Sequence, residues 1–132
     1  MWYFDNEEFQ DIGEYIGFVY LITNLTNGRK YIGKKNLYFS KSRQVKGKRK
    51  RFKVESDWRD YYGSNKELQE EVEKLGKEVF RREILRLCIS KGEASYFEAK
   101  EQFTRNVLET DEYYNVWISC KIRKSHLTFL NK

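Results

Sequence analysis

Apolar and polar positions change period several times along this chain, and the changes mark the elements. Phe18-Val19-Tyr20-Leu21-Ile22 is an unbroken apolar run rich in β-branched and aromatic residues, which predicts a strand over Phe18–Leu25. Lys30–Leu37 predicts a second strand, and Asn27-Gly28 between the two is the strongest short-range hairpin signal. Ser64-Asn65-Lys66-Glu67 has the form of a capping box opening a helix that carries Leu68, Val72 and Leu75, with Gly76 as its stop. Val79–Cys88 predicts a third strand. Ser90-Lys91-Gly92-Glu93 is a second capping box, and the helix behind it is predicted to run to about Leu108 with Tyr96, Ala99, Phe103 and Val107 as its apolar stripe. An aromatic segment, Tyr113-Tyr114-Asn115-Val116-Trp117-Ile118, and a basic end follow. This order predicts an α+β fold: a small antiparallel three-stranded sheet flanked by helices, in β-β-α-β-α order. A single domain over 1–132 is expected, with a core at about 17–117 and short extensions at either end.

Composition narrows the class. With 39% apolar and 17% aromatic residues the chain is too apolar for a disordered segment. No apolar run approaches the roughly 18–20 residues of a membrane span. The acids after Phe4 leave no basic leader, so a cytoplasmic protein is expected, and no membrane partner. Cys88 and Cys120 form no Cys-x-x-Cys or Cys/His cluster, which argues against zinc, and Cys88 reads as an inert buried thiol. The single histidine, His126, lies far from the other candidate residues and is expected to take no catalytic part. The absence of proline fits one compact unit.

The net charge of +6 is unevenly placed. Residues 1–27 carry Asp5, Glu7, Glu8, Asp11 and Glu14 and no Lys or Arg, whereas residues 29–53 carry twelve Lys or Arg and no acid. A block of that density repels itself unless a polyanion neutralises it. Residues 38–57 are therefore expected to be an inserted basic loop, mobile around Lys46-Gly47-Lys48 and ordered by nucleic acid. Lys34, Lys41, Lys46, Lys48, Arg49, Lys50 and Arg51 would contact phosphates. The sequence does not fix the purpose of the acidic N-terminal segment; one reading folds it over this loop as an autoinhibitor, in which case deleting residues 1–14 would raise DNA affinity. Trp58, Tyr61 and Tyr62 beside the block read as core packing in the first instance and as base-stacking rings in the second.

A two-residue turn at Asn27-Gly28 would set Asn24 opposite Tyr31, Ile22 opposite Gly33 and Tyr20 opposite Lys35. Any even-length turn there puts Tyr20, Ile22, Asn24, Tyr31, Gly33 and Lys35 on one face. That face holds two phenols and an amine, with Gly33 leaving room for a bulky group to approach. An amine across the ladder from Tyr20 would lower the phenol toward a usable base. An ordinary aromatic ladder in a half-buried sheet would look the same.

Phe18-Val19-Tyr20, ten intervening residues and Tyr31-Ile32-Gly33-Lys34 resemble the paired signature of the GIY-YIG nuclease superfamily. Phe18 stands where the family has glycine, with Gly17 one place early. Ser56–Ser64 and Tyr96-Phe97-Glu98-Ala99-Lys100 are similar to small phage-encoded, free-standing homing-type endonucleases. The resemblance implies one divalent ion, Mg²⁺ or Mn²⁺, on a helical carboxylate: Glu98, with Glu101 as the alternative. It implies Tyr20 as general base or water-positioner, with Tyr31 beside it, and Asn115 as a brace. It also implies an arginine on the scissile phosphate; the family's position for it falls on Lys41, and Arg43 is the arginine nearest to it. Lys35 joins the set from the face argument alone.

The expected function is a metal-dependent DNA endonuclease acting on double-stranded DNA by in-line attack of water, the metal and a cation stabilising the charge that develops. It would have little sequence recognition of its own unless it dimerises or borrows a specificity partner. The alternatives are a non-catalytic nucleic-acid-binding module on the same fold, and a basic structural protein for RNA.

Overall fold

The computed structural model describes residues 1–131. Among them, strands β1 (Trp2–Phe4), β2 (Glu7–Glu8), β3 (Gly17–Asn24), β4 (Lys30–Asn36), β5 (Tyr38–Val45), β6 (Lys48–Glu55) and β7 (Phe80–Cys88) accompany helices α1 (Lys66–Leu75) and α2 (Lys91–Thr104). Short 3-10 segments cover Trp58–Asp60, Lys77–Val79 and Lys124–Asn131. None of the described helices is long and apolar enough to cross a membrane.

The fold is α+β, but the sheet is larger than expected. It has five strands in the order β2-β1-β7-β3-β4, and β1 runs parallel to β7. The expected antiparallel three-stranded sheet is its β7-β3-β4 part. The extra strands come from the acidic N-terminal segment, which corrects the picture of a flap over the basic block. Trp2 is buried, its indole N–H donates to the Trp58 carbonyl at 2.7 Å, and its ring meets Phe18 and Tyr20 edge-on at 4.8 and 5.4 Å. A three-residue strand is too short to show periodicity, so nothing local announced it.

β3 is an interior strand, between β7 and β4, and reads as a continuous apolar run because both its faces are covered. Phe18, Tyr20 and Ile22 face a core completed by Trp2, Trp58, Leu68, Val72 and Tyr114; Val19 and Leu21 face a second core with Ile32, Cys88, Ala94 and Val107. Gly17 is set by a close approach, since a Cβ there would lie 2.9 Å from the Lys35 carbonyl oxygen.

Three local expectations shift. The β3–β4 turn is longer than the two residues expected: Asn24 N–H reaches the Arg29 carbonyl and Gly28 N–H the Asn24 carbonyl. Tyr20 therefore pairs with Gly33, Ile22 with Tyr31 and Phe18 with Lys35. The slide is two residues, so the shared face survives while the partners change. Helix α1 is capped by Asn65, one place after the expected Ser64, through the Leu68 N–H. Helix α2 ends at Thr104; Phe103 is exposed and Gln102 is buried, so the stripe expected through Phe103 is broken.

The basic block is a β-hairpin, not a loop. β5 and β6 pair along their whole length from Tyr38–Glu55 to Val45–Lys48, in a sheet of their own. Lys46 and Gly47 both have positive φ (50° and 76°), the backbone of a tight two-residue turn.

Candidate active site

β4 is the sheet's edge strand, and the chain seals it by an unusual route. The Lys30 N–H donates to Glu112 O and the Tyr114 N–H to Lys30 O, a short parallel bridge. Beyond it the Asn115 side chain takes over: Oδ1 accepts the Ile32 N–H at 3.1 Å and Nδ2 donates to the Ile32 carbonyl at 2.8 Å. Gln102 on α2 donates to the same carbonyl at 3.0 Å. One amide thus imitates a strand, and a second ties the helix to the edge.

A cleft of about 630 Å³ opens over this edge. Tyr31 lines it from β4, Glu98 and Gln102 from α2, Ser64 to Lys66 from the start of α1, and Asn115 to Trp117 from the segment after the bridge. Tyr31 lies on the α1 side of the sheet and α2 packs on the other. The cleft therefore wraps around the β4 edge beside Tyr31 and Ile32, and the carboxylate meets the phenol around the strand edge. Tyr31, Glu98 and Asn115 of the expected set are brought together; Tyr20, Lys35, Arg43 and Glu101 are placed otherwise.

Tyr20 is wholly buried beneath the cleft. A Cβ on Gly33 would clash with its hydroxyl and ring, so the missing side chain at Gly33 makes room for Tyr20 itself rather than for an incoming group. The Tyr20 phenol is pushed well above the ordinary range, by burial first and then by the phenols of Tyr61 and Tyr31. The expected lowering by Lys35 is overturned. In the observed register Lys35 lies opposite Phe18, and its amine is held by Asp57 at 2.6 Å and over the Tyr61 ring at 4.1 Å. That ion pair holds the Asp57 carboxyl below its usual value.

Tyr31 is half-buried and its hydroxyl shares a 3.0 Å hydrogen bond with Ser64 Oγ. Burial raises its phenol too, with the Ser64 bond opposing. Burial likewise raises the Glu98 carboxyl, opposed by the Lys34 ammonium and backbone. Lys34 itself donates to Ser95 Oγ at 2.6 Å on α2. Glu101 is engaged with Arg105 at 2.8 Å along its own helix and does not line the cleft. Arg43 lies on the hairpin opposite Lys50, its guanidinium 5.4 Å from the Phe52 ring centroid, and is likewise absent from the cleft. Among the described residues lining it, the cation is Lys66, the first residue of α1. Sequence reasoning passed over Lys66 because its basic neighbours lie far back in the chain.

Two other residues were missed. Gln102 has a buried amide oxygen without a partner, one helical turn after Glu98. Trp117 is 77% exposed on the cleft rim. Trp58 belongs to the core, and Tyr61 and Tyr62 pack against it, as the first of their two readings had it. His126 packs on Gly92 at the start of α2, and its Nδ1 accepts the Arg123 N–H. Cys88 and Cys120 are both free; burial pushes the Cys88 thiol up to about 12.

Among the described residues no three His, Cys, Asp or Glu side chains gather around a common point, so a metal here would rest on few protein ligands. Glu98 and the unpartnered Gln102 oxygen offer hard oxygen donors of the kind a Mg²⁺ ion accepts while keeping several waters.

The segment carrying these elements matches the family described as "Putative endonuclease segE, GIY-YIG domain" over residues 2–118. It is 34% identical over 100 residues to the "Putative endonuclease segE" of Enterobacteria phage T4, a stretch covering 75% of this chain and 40% of that relative. The chain thus spans less than half the length of that relative. No solved structure matches it. The edge strand with its Tyr31-Ile32-Gly33 motif, the helical Glu98 and the N-terminal strand all fall within the matched residues, and the chain belongs to the GIY-YIG endonuclease family.

Proposed function

We propose that this chain is a metal-dependent endonuclease that hydrolyses phosphodiester bonds in double-stranded DNA. The observation that carries the reading is the convergence of Tyr31, Glu98 and Lys66 on one cleft around an edge strand braced by Asn115. Glu98, with Gln102 beside it, would hold one Mg²⁺ or Mn²⁺, which when bound supplies Lewis-acid stabilisation of the phosphate oxygens. Lys66, at the positive end of α1, takes the phosphate-contacting role expected of Arg43, as a point charge rather than a planar fork. Tyr31 is neutral near pH 7, so it orients the attacking water through its hydroxyl, with Ser64 fixing that hydroxyl. Tyr20 supports Tyr31 from below. One P–O bond forms to water, which releases a proton to solvent, and the ester P–O bond on the opposite side breaks; the departing oxygen takes a proton from solvent. Trp117 is placed to stack on a base beside the scissile bond.

A plasmid-nicking assay tests this. Wild type should relax supercoiled DNA with Mg²⁺ and not with EDTA. Glu98→Ala should lose at least a hundredfold in rate, and Tyr31→Phe and Lys66→Ala should lose tenfold or more. Equal cleavage by all four overturns the roles given to Glu98, Tyr31 and Lys66; no cleavage by wild type returns the chain to the reading of a non-catalytic DNA-binding module.

A further inference from the structure

We propose that the β5–β6 hairpin enters the major groove of duplex DNA and reads base edges with one of its two faces. The proposal takes from the nuclease reading only that the polymer is DNA. Strand alternation sorts the hairpin's residues cleanly. On one face Phe39, Lys41, Arg43 and Val45 lie across from Val54, Phe52, Lys50 and Lys48. On the other Ser40, Ser42 and Gln44 lie across from Lys53, Arg51 and Arg49.

The two faces have different chemistry. The first offers positive charge on an apolar base, which suits phosphates and carries no acceptors. The second sets a row of hydroxyls and an amide against a row of long cations, with no apolar side chain between Ser40 and Gln44. Those are the groups that pair with base edges: Arg with guanine O6 and N7, Gln with adenine N6 and N7, and Ser with either. Set in register along one face, they give the ribbon paired donors and acceptors that the first face lacks.

Shape and exposure agree. Two strands of eight residues make a rod on the order of 27 Å long, and the ~12 Å major groove admits a two-stranded ribbon. Ser40–Gln44 and Lys48–Lys53 are exposed, and each strand has its principal packing partner in the other. The tight Lys46-Gly47 turn keeps the tip narrow. Eight Lys or Arg against one acid, Glu55, over Tyr38–Glu55 give the ribbon the charge that duplex DNA complements.

The domain then has a sequence preference of its own. Selection of the full chain on duplexes with a randomised tract should enrich a defined site. Ser40→Ala/Ser42→Ala/Gln44→Ala, at exposed positions, should keep low-salt binding to random DNA but lose at least tenfold of the discrimination. Replacing purines in the enriched site by 7-deazapurines, which removes the major-groove N7 acceptor, should cost the wild type a similar factor. No enrichment, enrichment unchanged in the triple variant, or indifference to 7-deazapurines overturns the proposal. If wild type nicks DNA with Mg²⁺ but enriches no site, the inference fails and the nuclease reading stands. If it enriches a ribbon-dependent site yet never nicks, the nuclease reading fails and the inference stands.

Discussion

At the residue scale the candidate site places its carboxylate where burial works against its charge. The folded chain binds the Glu98 proton more tightly than the unfolded chain does, because burial raises the carboxyl. The stability this contributes is whole below the ordinary carboxylate value of about 4.3, and is lost as pH rises through the higher folded value. Glu98→Gln is neutral at every pH and removes that loss. In EDTA its Tm should exceed that of wild type at pH 7, and the gap should close toward about pH 4. Equal melting at both pH values would show that Glu98 carries no burial penalty. Gly33 makes the complementary point: a motif glycine that seemed to invite a ligand is occupied by the Tyr20 ring, which leaves Tyr31 as the phenol facing the cleft.

At the element scale the N-terminal strand and the hairpin both depart from their expected roles. β1 is part of the core through Trp2, so removing residues 1–14 should unfold the domain rather than release it for DNA. Trp2→Ala should cost on the order of 3–5 kcal/mol in urea denaturation, the usual range for an enclosed tryptophan. A loss below 1 kcal/mol would mean that β1 is not docked in solution. Charge dominates the hairpin's pattern, which is why its sequence predicts a mobile loop. Its register shows up in alternation instead: Phe39 and Val45 share one face while Ser40, Ser42 and Gln44 share the other. The α2 stripe failed for a related reason. Gln102 is polar yet buried, since its amide satisfies the edge-strand carbonyl of Ile32, a need no helical period reveals.

At the scale of the whole molecule, positive charge is carried out on a ribbon while the body holds the cleft. Binding to random duplex should therefore weaken steeply with salt, with a log–log slope near 0.9 for each phosphate neutralised. Replacing Lys41, Arg43, Lys48 and Lys50 by Gln should lower that slope by roughly 3–4 if all four meet phosphates. An unchanged slope would remove the ribbon from the DNA interface.

Local sequence determined much of this protein by itself. An uninterrupted apolar run set β3, capping residues and Gly76 bounded the helices, and an even-length turn put Tyr20, Tyr31 and Lys35 on one face whatever the register. Those properties depend on neighbours within a few residues. Tertiary structure alone decided which partners met across the hairpin, that Trp2 joined the core, that Lys35 went to Asp57, and that Glu98, Lys66 and Tyr31 share a cleft. Each of these is a contact between distant segments, fixed by how two layers of helix close on a sheet edge, and no window of sequence contains both partners.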